Sequence, residues 1–196
     1  METKGWGVLL LVLIVAVVYR IYAKSDYVNL KCIISTVDGH KYCVRDRLEL
    51  NKAADKLART AQTLQLIVDT VSKKYPNRSN CKRLKKLFNP GAIQETLPTS
   101  ELTAYSENKG EKVAFCLNAA KNEGKGLIDD NTLLFVAIHE LAHIATLSVG
   151  HTEEFWDNFR FLLHHAESIN VYVPIDYNRS PQKYCGMTIT DNPYYN

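Results

Sequence analysis

His139-Glu140-Leu141-Ala142-His143, followed by Gly150-His151 and then Phe155-Trp156, is the stretch on which the reading of this chain turns. Two histidines four positions apart on a helix stand one turn above each other on the same face, so both imidazoles can grip one metal ion. The glutamate beside the first histidine is placed to hydrogen-bond a water on that metal and take its proton. This is the working set of a zinc-dependent peptidase. A lone histidine on a helix face is ordinarily a packed or solvated side chain; a pair around a glutamate points to metal binding.

A catalytic zinc takes three protein ligands and leaves one position for water. The helix must turn before a third ligand can reach back, and Gly150-His151 falls where that turn belongs. His139, His143 and His151 are therefore the expected ligands, spaced H-E-x-x-H-x7-H, and Glu140 the expected catalytic base. Glu153, Glu154 and Asp157 are the rivals for the third position, since a carboxylate often fills it. Zn2+ would bring the pKa of its water to about 7, and Glu140 would pass the proton on to the leaving amine. Tyr184, Tyr105 and Arg160 are candidates to stabilise the oxyanion, with nothing in the sequence to choose among them. His164 and His165 come too late for the motif and suit a polar or supporting face; His40 suits the surface.

The surrounding pattern is that of a folded domain. The chain has 196 residues, 46% hydrophobic and 23% charged, enough for one domain with a core plus an appendage. A net charge of +3 is too small to imply nucleic acid by itself. The motif helix, residues 132–148, is apolar on nearly every side and should be central, capped by Asp130, Asn131 or Thr132 and ended by Gly150. Thr152 caps a following helix whose stripe includes Phe155, Phe159, Leu162 and Ala166, with Phe155 and Trp156 as core behind the site. Upstream, Leu50, Ala53, Leu57, Ala61, Leu64, Val68 and Val71 stripe one long amphipathic helix over residues 46–75, stopped by Pro76.

Hairpins are expected about Asp38-Gly39, between residues 30–37 and 40–45, and about Asn108-Lys109-Gly110, between 102–106 and 112–118. A short helix is expected over 80–88. Residues 90–98 and the tail 171–196 read as irregular. The five cysteines are scattered and contain no C-x-x-C pair, which excludes a zinc ribbon or thioredoxin-like site. They read as free thiols of a reducing compartment, with Cys32–Cys43 pairing across the first hairpin left open.

At the N-terminus, WGVLLLVLIVAVVY at residues 6–19 carries no charge. With Trp6, Tyr19 and Tyr22 at the interfaces and Arg20 and Lys24 snorkelling, residues 1–24 read as an N-terminal transmembrane helix. Ile21-Tyr22-Ala23 is a poor cleavage site, which disfavours a signal peptide. Arg20, Lys24 and Lys31 after the span place the 25–196 domain on the cytoplasmic side of a single-pass membrane protein. The sequons Asn77-Arg78-Ser79 and Asn178-Arg179-Ser180 would matter only in a lumen.

The H-E-L-x-H core, the third histidine His151 and the aromatic pair Phe155-Trp156 resemble the WLM/SprT-like zinc metallopeptidases. Val37-Asp38-Gly39, Asn108-Lys109-Gly110-Glu111-Lys112, Phe115-Cys116-Leu117 and Tyr184-Cys185-Gly186 are similar to features of WLM-type proteins of large DNA viruses. The likeness covers most of residues 28–190. It implies an α+β, zincin-like minimal metallopeptidase domain: a central HExxH helix, small sheet and hairpins, and a long amphipathic helix, here behind a transmembrane helix. It also implies Zn2+ on His139, His143 and His151, with Glu140 catalytic.

In zincins an edge strand binds extended substrate, and residues 113–118 are the candidate, against a plain sheet strand. The expected function is a membrane-anchored zinc metalloendopeptidase acting on protein or peptide substrates. One alternative is a DNA-associated protease or binding module, for which the run Lys73, Lys74, Arg78, Lys82, Arg83, Lys85, Lys86 speaks. The other is a catalytically silent zinc-binding membrane or virion structural protein. The apparent anchor and the lack of a zinc ribbon or DNA-binding tail depart from the DNA-associated relatives.

Overall fold

A computed structural model of the chain describes residues 3–23, 29–120 and 126–195. In chain order the elements are α1 (Thr3–Ala23), β1 (Leu30–Ile34), β2 (Lys41–Arg45), α2 (Leu50–Lys74), α3 (Ser79–Leu87), β3 (Ile93–Glu95), β4 (Ala104–Glu107) and β5 (Lys112–Phe115). Then follow α4 (Asp130–Ala145), α5 (Glu153–Ser168), β6 (Gln182–Tyr184) and β7 (Met187–Ile189). The architecture is α+β.

The first correction concerns α1. No helix among the described residues is long and apolar enough to cross a membrane. The charge-free run at residues 6–19 is fourteen residues, which rise about 21 Å against a hydrocarbon core of about 30 Å. That overturns the transmembrane helix at residues 1–24, and with it the single-pass membrane localisation and the cytoplasmic orientation. Lys24 and the expected boundary at 24–25 lie outside the described residues, as does the polar stretch 121–125.

α4 is the centre of the domain. Leu133, Ala137, Ile138, Leu141, Ala142, Ile144 and Ala145 are all buried, as an all-round apolar pattern requires. α2 lays its stripe (Ala53, Leu57, Ala61, Leu64, Val68, Val71) into the same core, widened by Ala54, Ala58 and Ile67. Its C-terminal Lys73 and Lys74 suit the helix dipole. α5 contributes Phe155, Phe159, Leu162, Leu163 and Ala166.

The first hairpin pairs β1 with β2, Cys32 opposite Cys43. Its connection is longer than a two-residue turn. Ser35 N donates to His40 O at 2.8 Å, and the Asp38 carboxylate accepts from His40 N at 3.0 Å and Tyr42 Oη at 2.8 Å. The larger sheet has order β3-β5-β4, parallel between β3 and β5 and antiparallel between β5 and β4. Residues 90–98, expected to be irregular, thus hold β3. Glu95 at its end is buried and holds both neighbouring arginines: its Oε2 accepts from Arg45 N at 2.8 Å, and its Oε1 pairs with Arg47. Burial pushes its carboxyl up, against the pull of Arg47.

The thiol expectation also needs correction. Cys32–Cys43 and Cys116–Cys185 are disulfides, and only Cys81 is free among the described cysteines. The second bond joins positions 69 apart and staples the β6–β7 hairpin to the chain after β5. There Cys185 N and Gly186 N donate to Asn118 O and Ala119 O, both at 2.9 Å. The tail is likewise less irregular than expected: it forms that hairpin, then Asn192 Nδ2 donates to Tyr172 Oη and Ile175 O, both at 2.9 Å.

Asp55 on α2 anchors the first hairpin. Its Oδ1 accepts from Ser35 Oγ at 2.6 Å and Thr36 N at 2.9 Å, and its Oδ2 from Thr36 Oγ1 at 2.9 Å. These bonds, the Ser35 hydroxyl first, hold the carboxyl below its ordinary range. The folded state then binds fewer protons than the unfolded one at acid pH, so this stabilisation is complete above about pH 4 and disappears as pH falls through the depressed value. Asp55→Asn should cost about 1–2 kcal/mol in urea unfolding at neutral pH, and the gap from wild type should narrow towards about pH 3. A gap that does not change with pH would contradict this.

Candidate metal centre

α4 starts where Asp129 Oδ1 accepts from Thr132 N at 2.8 Å. Asp129 is therefore the cap, one residue before the three expected candidates. The helix ends at Ala145, with Thr146 N still donating to Ala142 O at 3.0 Å. Gly150, expected to end it, instead turns the loop beyond, at φ +83°. Thr152 then caps α5, its Oγ1 accepting from Phe155 N at 3.4 Å.

One edge of α4 escapes burial, and His139 and His143 stand on it, half-buried. The loop between α4 and α5 brings exposed His151 over them. His151 Nε2 lies 3.1 Å from His139 Nε2 and 3.2 Å from His143 Nε2. Burial, then the neighbouring imidazoles, pushes His139 down to about 3. Burial first, then His151 and Lys109, pushes His143 down to about 4. Both rings are neutral at physiological pH, the form that ligates a metal.

This cluster could hold a metal ion: each of the three offers one ligand atom within 4.8 Å of the others. A tetrahedral ion with metal–nitrogen bonds of about 2.0–2.1 Å sets its donors about 3.3–3.4 Å apart, close to the spacing found. A second observation agrees. Glu140, 4% exposed, makes no hydrogen bond or ion pair among the described residues, and burial raises its carboxyl to about 8. A largely buried carboxyl with a strongly raised pKa beside such a cluster marks a candidate functional site.

The aromatic pair divides its work. Phe155, fully buried, floors the cluster, its ring 4.9, 4.3 and 4.6 Å from those of His139, His143 and His151. Trp156, expected in the core, is 38% exposed and reaches His151 at 5.5 Å. It opens onto a groove of about 600 Å³ lined with Glu153, Asp157, Arg160, Asp191 and Pro193.

Other candidates are placed elsewhere. Glu154 is spent on Leu147 N and Ser148 N, at 2.9 and 3.1 Å, and Asp157 on Arg160 at 3.1 Å. His164 lies against Tyr194, and His165 Nε2 meets Thr70 Oγ1 at 2.8 Å. His40 is exposed beside Asp38. Tyr184 is no oxyanion donor: its buried hydroxyl accepts from Cys116 N at 3.1 Å and donates to Thr103 O at 3.2 Å. Tyr105 lies on β4, and Arg160 lines the groove. The strand expected to accept substrate is also displaced, because β5 is the middle strand, between the outer strands β3 and β4.

Fold and site thus define an α+β domain carrying a three-histidine cluster that could hold a metal beside a buried carboxyl. No family model matches the chain. It is 30% identical over 196 residues to uncharacterized protein R325 of Acanthamoeba polyphaga mimivirus, a match covering 95% of each chain. The chain therefore belongs to the same family as that viral protein. It is also 35% identical over 69 residues to uncharacterized protein 136R of Invertebrate iridescent virus 6, covering 35% of this chain and 38% of that protein. Among solved structures it is similar to that of Wss1 from Saccharomyces cerevisiae: TM-score 0.46, 16% identity, 63% of this chain and 83% of the other.

Proposed function

We propose that the chain is a zinc metalloendopeptidase of the WLM/SprT-like kind, with His139, His143 and His151 as ligands and Glu140 as general base. The observation that carries this is the convergence of three imidazole nitrogens one residue along the helix from the buried Glu140. A zinc ion held there supplies Lewis acidity, which makes water acidic near neutral pH and polarises a peptide carbonyl.

The residues of the chain do the rest. Glu140 takes the proton of the attacking water and returns it to the leaving amine. Its position one residue from His139, on the same buried helix, suits it to this relay. Phe155 keeps the imidazoles packed from below and excludes water on that side. β4, one of the two outer strands of the sheet, offers an edge along which an extended peptide can lie. The groove beside Trp156 gives a substrate side chain somewhere to go. The substrate class is protein or peptide.

A second reading, that the peptidase works on proteins bound to nucleic acid, draws on one surface. Lys73, Lys74, Arg78, Lys82, Lys85 and Lys86 are exposed at the α2–α3 corner, and none pairs with a carboxylate among the described residues. Arg78 also lies 4.1 Å over the Phe161 ring. Such a face is suited to phosphates.

Two outcomes follow. Glu140→Gln should retain zinc at wild-type stoichiometry yet lose peptide cleavage by roughly 10²–10⁴-fold, read by metal analysis and by proteome-derived peptide profiling. A cleaving Glu140→Gln chain contradicts the assigned base. For the second reading, fluorescence anisotropy with DNA should give a log affinity against log salt slope of roughly −3 to −5. Affinity that is absent at low salt removes that reading and leaves the first intact.

A further inference from the structure

His151 stands on a segment that burial does not hold. Leu147 and Val149 are 72% and 88% exposed, so hydrophobic packing does not fix residues 147–151. Polar contacts do, from two sides. On one side, Lys109 Nζ donates to His143 O at 3.1 Å, Thr146 O at 2.8 Å and Ser148 O at 2.8 Å. An ammonium has three N–H donors, and all three are spent on carbonyls at the end of α4 and the start of the loop. The positive charge also lies at the negative end of the helix dipole.

On the other side, Glu154 accepts from Leu147 N at 2.9 Å through Oε1, and from Ser148 N at 3.1 Å and Ser148 Oγ at 2.9 Å through Oε2. Ser148 Oγ also meets Thr152 Oγ1 at 2.7 Å. Arg83 bridges the two halves, donating to Ala145 O and standing 3.8 Å from Glu154.

The turn that delivers Lys109 is built at a conformational cost. Asn108, Lys109 and Gly110 have φ values of +47°, +58° and +110°. Only glycine fits the third position, since a Cβ there would come within 2.8 Å of Leu87 O and 3.1 Å of Ile144 Cδ1. The hairpin between β4 and β5 thus places the Lys109 side chain at the end of α4.

We propose that Lys109 and Glu154 are positioning residues for the third histidine: together they preform the 146–152 segment, so that His151 is already in place when a metal arrives. Carbonyls of the segment converge on one charge and its amides on the other, which removes the ordering cost from metal binding. This rests on the metal site proposed above.

The test is zinc affinity by chelator competition on the 196-residue chain, with the visible spectrum of the cobalt-substituted form as a report on coordination. Lys109→Met should weaken zinc by roughly 10–100-fold, and its cobalt bands should lose intensity towards those of His151→Ala. Glu154→Gln, on the exposed side of the loop, should weaken zinc in the same direction and decides the matter if Lys109→Met does not fold. A purely structural role would lower the thermal midpoint of the metal-free chain and leave the affinity of the folded chain unchanged, which would overturn the inference. Wild type that takes up no zinc would overturn the metal site itself, a result distinct from wild type and variants binding equally.

Discussion

An imidazole nitrogen brought to 3.1 and 3.2 Å from two others, as His151 Nε2 is from those of His139 and His143, needs something to share with them. One hydrogen on His151 Nε2 could serve two neighbours, or one cation could serve all three lone pairs. The three histidines could hold such a cation, and the buried Glu140 follows His139 on the same helix. Most of what surrounds α4 can be understood as keeping this crowded arrangement in place. The helix is buried along nearly its whole length, and His139 and His143 stand on the edge that is not.

That constraint organises the rest of the domain. Phe155 has no room except beneath the three rings, and the helix it belongs to is set by Thr152, one residue after His151. His151 and the aromatic floor are therefore set by the same cap. The Asn108-Lys109-Gly110 turn reaches the C-terminal end of α4 from the sheet side. The disulfide from Cys116 to Cys185 ties the β6–β7 hairpin to the chain leaving β5, and with it the buried Tyr184. Helix, sheet and tail are joined around one small patch of polar chemistry.

Much of this was legible because helical periodicity is a local signal. The spacing of His139, Glu140 and His143 needs only the helix repeat, and the stripe from Ala53 to Val71 needs nothing else. His151 was within reach because Gly150 marks a turn. What escaped was set by tertiary contacts. β3 is three residues between prolines, too short for alternation to show, and exists because β5 pairs with it. The Cys185 partner of Cys116 cannot be found by spacing. Trp156 looks like core in any pattern, yet lies at the lip of a groove. The N-terminal run misled through composition: its apolarity is real, but its charge-free length falls short of a bilayer. Lys109 carried no signal beyond its place in a tight turn.

X-ray absorption at the zinc edge of the purified chain tests the central claim most directly. The account predicts a zinc-loaded protein whose first shell holds three imidazole nitrogens at about 2.0–2.1 Å and one further light atom. Retention of that full shell in His151→Ala, a shell containing sulfur, or a chain that takes up no zinc at all, would contradict it.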